Sequence, residues 1–175
     1  MHPLKVVVHI NQQTLSVIQD GRVRHRFPVS TSRYGTGFAP GSYRTPLGRF
    51  VIAEKIGDGQ PPDTIFRGRL PVREESDWAN EPDLITSRIL WLDGLDPENA
   101  NSKDRFIYIH GTNQEELLST PASHGCIRMA NADIIRLYEM VGPGTEVVIQ
   151  QTAADPSGLA GHARPNGCDN SEGKA

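Results

Sequence analysis

The sequence predicts a mostly β domain with one principal helix. Three observations carry that reading. Short β-branched runs recur from residue 5 onward, Gly- and Pro-rich turns separate them, and helical periodicity is confined to one stretch near residue 135. The chain has 175 residues, 37% hydrophobic and 22% charged, a composition of globular proteins and enough chain to bury one core. Its net charge of −3 argues against a nucleic-acid surface, which needs clustered positive charge.

Taken in order, residues 5–10 (KVVVHI) and 14–18 (TLSVI) read as two strands joined by a polar connection. Asp20-Gly21 signals a two-residue hairpin turn, since both central positions favour positive φ. The strand that follows alternates, with Val23, His25, Phe27 and Val29 on one face and Arg22, Arg24 and Arg26 on the other. These three strands predict an antiparallel meander. Residues 33–49 (RYGTGFAPGSYRTPLGR) have loop chemistry, and a short strand is expected at Phe50–Ala53. Residues 55–83 show no steady period and form a candidate lid, since long loops in compact domains are often functional. Ile85–Leu92 and Arg105–His110 read as two more strands. The helix is expected over Ala132–Val141, with Asn131 as N-cap, Asp133 in its first turn and Gly142 as the stop. Ile134, Leu137, Tyr138 and Val141 form its apolar stripe. A last strand spans Thr145–Gln150. The folded domain is expected over 4–150, and the polar, Gly/Pro-rich tail at 151–175 is expected to be disordered.

No apolar run approaches the roughly 20 residues that cross a bilayer. The N-terminal apolar run, Val6 to Val8, is too short for a signal peptide and no cleavage site follows it. The expectation is a cytoplasmic protein without a membrane segment, or a periplasmic or cell-envelope one if a signal has been removed.

The chemistry concentrates at SHGCIRM, Ser123 to Met129. Cys126 is one of two cysteines, with Cys168, too few for a disulfide framework. A thiol is mostly protonated at neutral pH, so a nucleophilic Cys126 needs a base or a positive environment. His110 ends a predicted strand in YIHGT, from which a loop can return the chain beside it. The exposed carbonyl of Gly111 could accept a hydrogen bond from the imidazole and fix its tautomer. Gly125 allows a tight turn that presents the amides of Gly125 and Cys126 to an oxyanion. These are parts of an acyl-transfer site. Two alternatives stand beside it: an inert buried thiol, and a zinc site built from His110, His124, Cys126 and Cys168, whose spacing does not follow the usual paired ligands.

His110-Gly111, then Ser123-His124-Gly125-Cys126-Ile127-Arg128, with TPLGRF (Thr45–Phe50) and Val-Ser-Thr at 29–31 upstream, resemble the L,D-transpeptidase catalytic domain, or YkuD-like, family. The resemblance covers about residues 5–150. It implies a sandwich- or barrel-like β fold and a peptidoglycan stem peptide or muropeptide as substrate, with no cofactor and no metal. It implies that Cys126 attacks the carbonyl between the third stem residue, of the meso-diaminopimelate type, and terminal D-alanine. His110 would be the base, oriented by the Gly111 carbonyl, and Ser123 and His124 would shape the site. Arg128 is a candidate to anchor a substrate carboxylate, with a structural ion pair as the equal alternative. Tyr108, on the His110 face of its strand, is a further substrate-contact candidate. Arg67, Arg69 and Arg73 in the lid could bind carboxylates, since arginine meets a carboxylate with two hydrogen bonds.

The bare single-domain layout looks more like the family's cytosolic L,D-carboxypeptidases, which makes trimming of soluble tetrapeptides in muropeptide recycling the expected activity. The alternative is transpeptidation forming 3-3 cross-links. A non-catalytic muropeptide-binding module would have no need of a paired thiol and base. A papain-like arrangement is disfavoured because histidine here precedes cysteine.

Overall fold

The computed structural model describes residues 2–72 and 81–152. Arg73, Cys168 and the expected disordered tail beyond residue 152 lie outside the described residues. The expected meander is present as β1 (Lys5–His9), β2 (Thr14–Gln19) and β3 (Arg22–Ser30), all antiparallel. Asp20 and Gly21 both take positive φ, 53° and 71°, the left-handed pair that a two-residue hairpin requires. The alternation along β3 does not hold throughout. Ile18 pairs with Val23 but Val17 pairs with His25, so Arg24 is an extra residue and the strand is bulged. Val23 is consequently half exposed, while Phe27 and Val29 are buried.

The remaining strands are β4 (Gly48–Ile56), β5 (Ile65–Arg67), β6 (Leu70–Pro71), β7 (Ile85–Gly94), β8 (Tyr108–Thr112), β9 (Ile127–Met129) and β10 (Glu146–Gln150). The sheet order is β4-β10-β1-β2-β3-β9-β8-β7-β5-β6, and β4 also pairs with β7. That second pairing closes eight strands into a barrel and removes their free edges. Two neighbours are parallel: β1 with β10, and β8 with β9. Val6, Val8, Leu15, Phe50, Leu92 and Ile109 belong to one fully buried core.

Three expectations are corrected. The strand at 50–53 extends to nine residues because β4 is laddered on both sides. The strand expected from Arg105 starts only at Tyr108, since Phe106 adopts a φ of 56°, outside the β region. The span 55–83 is not one structureless lid. Its first residues finish β4, and β5–β6 form a hairpin on the edge of β7, next to the stretch that β4 occupies.

The helix α1 (Asn131–Met140) buries Ile134, Leu137 and Tyr138 and packs on β7 and β8, as its apolar stripe requires. Asn131 is not its N-cap; Ala130 is. The Asn131 amide donates to Glu115 Oε1 at 2.8 Å. Its side-chain oxygen accepts from the hydroxyls of Thr86 and Ser87, both at 2.5 Å, and its Nδ2 donates to the Thr112 carbonyl at 3.0 Å. A cap contributes about 1 kcal/mol, whereas several partners left unsatisfied at a packed junction cost more. Asn131→Ala is therefore expected to lower unfolding free energy by about 2–3 kcal/mol in urea titration. A loss of only a few tenths would reduce Asn131 to a surface residue.

Candidate active site

The site is assembled by the parallel pair β8–β9. Its register sets Ile109 opposite Ile127, His110 opposite Arg128 and Gly111 opposite Met129. Side chains two apart along a strand share a face, so Tyr108 and His110 lie on the face that receives Cys126 and Arg128. The Tyr108 amide donates to Cys126 Sγ at 3.4 Å, and the thiol donates to the Phe106 carbonyl at 3.2 Å. The half-buried thiol thus rests against backbone, with His110 next along the same face.

His110 is buried, and its Nδ1 lies 2.5 Å from the Gly111 carbonyl oxygen. A carbonyl only accepts, so Nδ1 carries the proton and Nε2 keeps its lone pair. Burial lowers the His110 pKa to about 4, opposed by the Gly111 carbonyl and by Asp83. Burial likewise raises the Cys126 thiol to about 11, opposed mainly by the Tyr108 N–H, with Arg128 and Arg105 acting in the same direction. Both groups are neutral at pH 7. Gly111 itself is dictated by packing. A Cβ there would meet the Thr86 carbonyl oxygen at 2.5 Å and Asn131 Oδ1 at 2.6 Å.

The cysteine loop is pinned by the upstream segments singled out in the sequence. Ser123 donates its amide to the Thr31 carbonyl at 2.9 Å and its hydroxyl to the Cys126 carbonyl at 2.6 Å. Thr45, first residue of TPLGRF, donates to the Gly125 carbonyl at 2.9 Å while accepting the Ser32 amide at 3.0 Å. Gly125 turns the chain with a φ of 121°. Its amide, expected to face an oxyanion, donates instead to Ser123 Oγ at 3.2 Å.

Beside the thiol lies a charged network. Asp83 pairs through one oxygen with Arg128 and through the other with His124 Nδ1, at 2.6 Å. Arg128 also donates to Gln114 Oε1 at 3.2 Å, and its side chain is only 1% exposed. In this arrangement Arg128 follows the ion-pair alternative. These residues, with Arg33 and Pro82, line a cleft of about 570 Å³. Arg67 pairs with Glu81. Arg69 donates to the Tyr108 hydroxyl at 3.2 Å. Among the described residues, no group of three or more His, Cys, Asp or Glu is arranged to hold a metal ion.

Two contributors were missed in the sequence. Asp83 sits at the end of an aperiodic stretch, where nothing local marks it. Arg105 donates to the carbonyls of Gly37 and Arg44 and to the Ser42 hydroxyl, clamping the 37–44 loop beside the thiol. Its position just before β8 was the available signal.

The family described as YkuD, L,D-transpeptidase catalytic domain, matches residues 3–149. YqjB of Bacillus subtilis strain 168, which carries a provisional L,D-transpeptidase name, is 30% identical over 146 residues, covering 82% of this chain and 69% of its own. YkuD of the same strain, also provisionally named, is 26% identical and covers 85% and 67%. An L,D-transpeptidase from Xylanimonas cellulosilytica superposes with a TM-score of 0.56 at 22% identity, over 85% of this chain and 60% of that one. L,D-transpeptidase 3 from Mycobacterium tuberculosis, solved with a faropenem-derived adduct, gives 0.55 at 20% identity, over 85% and 60%. The solved structures support the fold. This chain spans about three fifths of their length.

The two pKa displacements predict a stability profile. His110 is lowered in the folded state, so its stabilising contribution is present above pH 6.5 and is lost as pH falls toward about 4. Cys126 is raised, so its contribution is full below pH 9.0 and is lost as pH rises toward about 11. Urea midpoints are expected to be flat between these limits and to fall on both sides. Cys126→Ala should lessen the alkaline fall, to which burial of Tyr108 and Tyr138 also contributes, and leave the acid limb. An unchanged alkaline limb would contradict the buried-thiol assignment.

Proposed function

This chain belongs to the YkuD family of L,D-transpeptidase catalytic domains, and from that premise we propose that it is a cysteine acyl-enzyme acting on peptidoglycan tetrapeptide stems. The observation that carries the reading is the 2.5 Å bond from His110 Nδ1 to the Gly111 carbonyl. It leaves Nε2 free to accept a proton on the face shared with Cys126.

Cys126 Sγ attacks the carbonyl carbon between the third stem residue and terminal D-alanine. As the S–C bond forms, the thiol proton passes to His110 Nε2. Collapse of the tetrahedral adduct breaks the C–N bond. His110 then returns the proton to the departing D-alanine amine, leaving a thioester on Cys126. Water attacking that thioester releases a tripeptide and restores the thiol. Water is the acceptor we favour, which makes the activity that of an L,D-carboxypeptidase on soluble muropeptides. The competing acceptor is an amine from a second stem, giving a cross-link. The L,D-transpeptidase names of the relatives favour that second reading.

Mass spectrometry of the protein incubated with a disaccharide-tetrapeptide separates the readings, with Cys126→Ala beside it. The expected product is lighter than substrate by one D-alanine residue and is absent with the variant. His110→Ala should slow its formation by about 100-fold or more. A cross-linked dimer lacking one D-alanine would replace the carboxypeptidase reading with transpeptidation. Unchanged substrate with the wild-type protein would remove the proposal.

A further inference from the structure

Arginine side chains around the thiol have different fates. Arg128 is paired with Asp83, Arg67 with Glu81, and Arg105 is spent on backbone carbonyls. Arg69 differs: among the described residues it faces no carboxylate, and its polar partner is the neutral Tyr108 hydroxyl at 3.2 Å. Its guanidinium lies 4.5 Å from the centre of the Trp91 ring and 5.4 Å from that of Phe106. Those rings are stacked on one another, with centroids 6.0 Å apart. Such stacking orients the fork without neutralising it.

The position of this platform relative to the thiol follows from the backbone. Phe106 gives its carbonyl to the Cys126 thiol, and Tyr108 gives its amide to the same sulfur. The two residues that hold the nucleophile therefore carry rings of the platform under Arg69. Tyr108 makes an edge contact with Trp91, with centroids 5.7 Å apart. Arg69 itself stands on the β5–β6 turn, where Gly68 and Arg69 take φ of 53° and 67°. This left-handed pair directs a tight hairpin, and β5 is laddered to β7, which also carries Trp91. The residue is half-buried, its guanidinium is held in place, and among the described residues it has no carboxylate partner.

We propose that Arg69, on its Trp91–Phe106 platform beside the residues that hold the Cys126 thiol, is a carboxylate-binding residue for substrate. The inference rests on the stem-peptide reading above and extends it to the group that is recognised. A tetrapeptide offers two such groups: the terminal carboxylate of the leaving D-alanine, three bonds from the scissile carbonyl carbon, and the side-chain carboxylate of a diaminopimelate-type third residue. Either would meet the guanidinium with charge-assisted hydrogen bonds.

The test is steady-state kinetics of the full chain and of Arg69→Gln and Arg69→Lys, their folding checked by circular dichroism. Three substrates are used: the tetrapeptide, its C-terminal amide, and the tetrapeptide amidated on the third side chain. With the parent substrate, Arg69→Gln is expected to raise KM about 10- to 100-fold with little change in kcat, the loss of a charge-assisted contact made equally in ground and transition states. Arg69→Lys should recover part of that loss, keeping charge without the planar fork. Wild type should suffer a similar rise with one of the two amides, and Arg69→Gln should lose nothing further on that amide. Whichever amide this is identifies the carboxylate. An unchanged KM in Arg69→Gln, while wild type turns over, would overturn the subsite and leave the proposed activity standing. If wild type shows no turnover, calorimetry of the tetrapeptide with Cys126→Ala and with Cys126→Ala/Arg69→Gln decides. Binding weakened by the second substitution supports the subsite without the acyl transfer. Equal binding in both overturns the subsite, and absence of binding overturns both.

Discussion

Everything at this site depends on a parallel pairing three residues long. Parallel neighbours cannot be joined by a tight turn, so the chain between β8 and β9 must travel through 113–126 and return in register. Its backbone polar groups need partners on the way. The end of β3 supplies them. Val29 accepts from the Ser119 amide, Thr31 accepts from the Ala122 and Ser123 amides, and the Ser30 hydroxyl donates to Thr120. β3 then pairs with β9 itself, Val29 opposite Met129. The Val-Ser-Thr stretch is therefore a template against which the cysteine loop is laid. Barrel closure through β4 and β7 holds β8 at the other side, so thiol and imidazole are brought together from two directions.

The charges around that pair are centred on one buried guanidinium, with a partly exposed carboxylate as its partner. Arg128 is almost fully enclosed, its Nε has no hydrogen-bond partner among the described residues, and Asp83 supplies its counter-charge. A buried ion pair contributes little net stability, yet breaking one leaves an uncompensated charge at a cost of about 3–5 kcal/mol. Asp83 has a second task, because its other oxygen holds His124 on the cysteine loop. One carboxylate thus joins the residues just before β7 to both β9 and the loop preceding it. The same carboxylate and guanidinium act on His110 and Cys126 with opposite signs, so the pair contributes less field at the site than either member would alone.

What could be read from sequence follows a physical division. The β2–β3 hairpin was legible because Asp20-Gly21 encodes its own turn, and α1 because its stripe repeats at helical spacing. Cys126 and His110 could be singled out because reactive side chains stand beside glycines, Gly111 required by packing and Gly125 by its positive φ. The structure brings them onto one face. Strand β9 was not legible, since three residues after a glycine-cysteine step carry no period. The role of Asn131 was misread because capping is a local rule, whereas its partners Thr86, Ser87 and Thr112 come from two other strands. Asp83 and the platform beneath Arg69 escaped for the same reason: their partners are distant in sequence, and only the closed barrel brings them near.

The neutral resting state constrains how the chemistry can proceed. A thiol near 11 and an imidazole near 4 place proton transfer uphill by on the order of 10 kcal/mol, before any attraction between the resulting ions. Even for ions in contact, at an effective dielectric of about 20, that attraction returns only about 4 kcal/mol. A preformed thiolate–imidazolium pair is thus a minor species in the free protein. In the acyl transfer proposed above, the thiol proton would leave as the sulfur bonds to carbon, when charge moves onto the substrate oxygen and no free thiolate is required. Such timing suits an imidazole whose tautomer is already fixed by Gly111, because no rotation or proton exchange precedes the step. It also gives the resting thiol low intrinsic reactivity, so that under the proposed acyl transfer selectivity would reside in the bound acyl donor, whose carbonyl would have to reach the face where Nε2 can receive the proton.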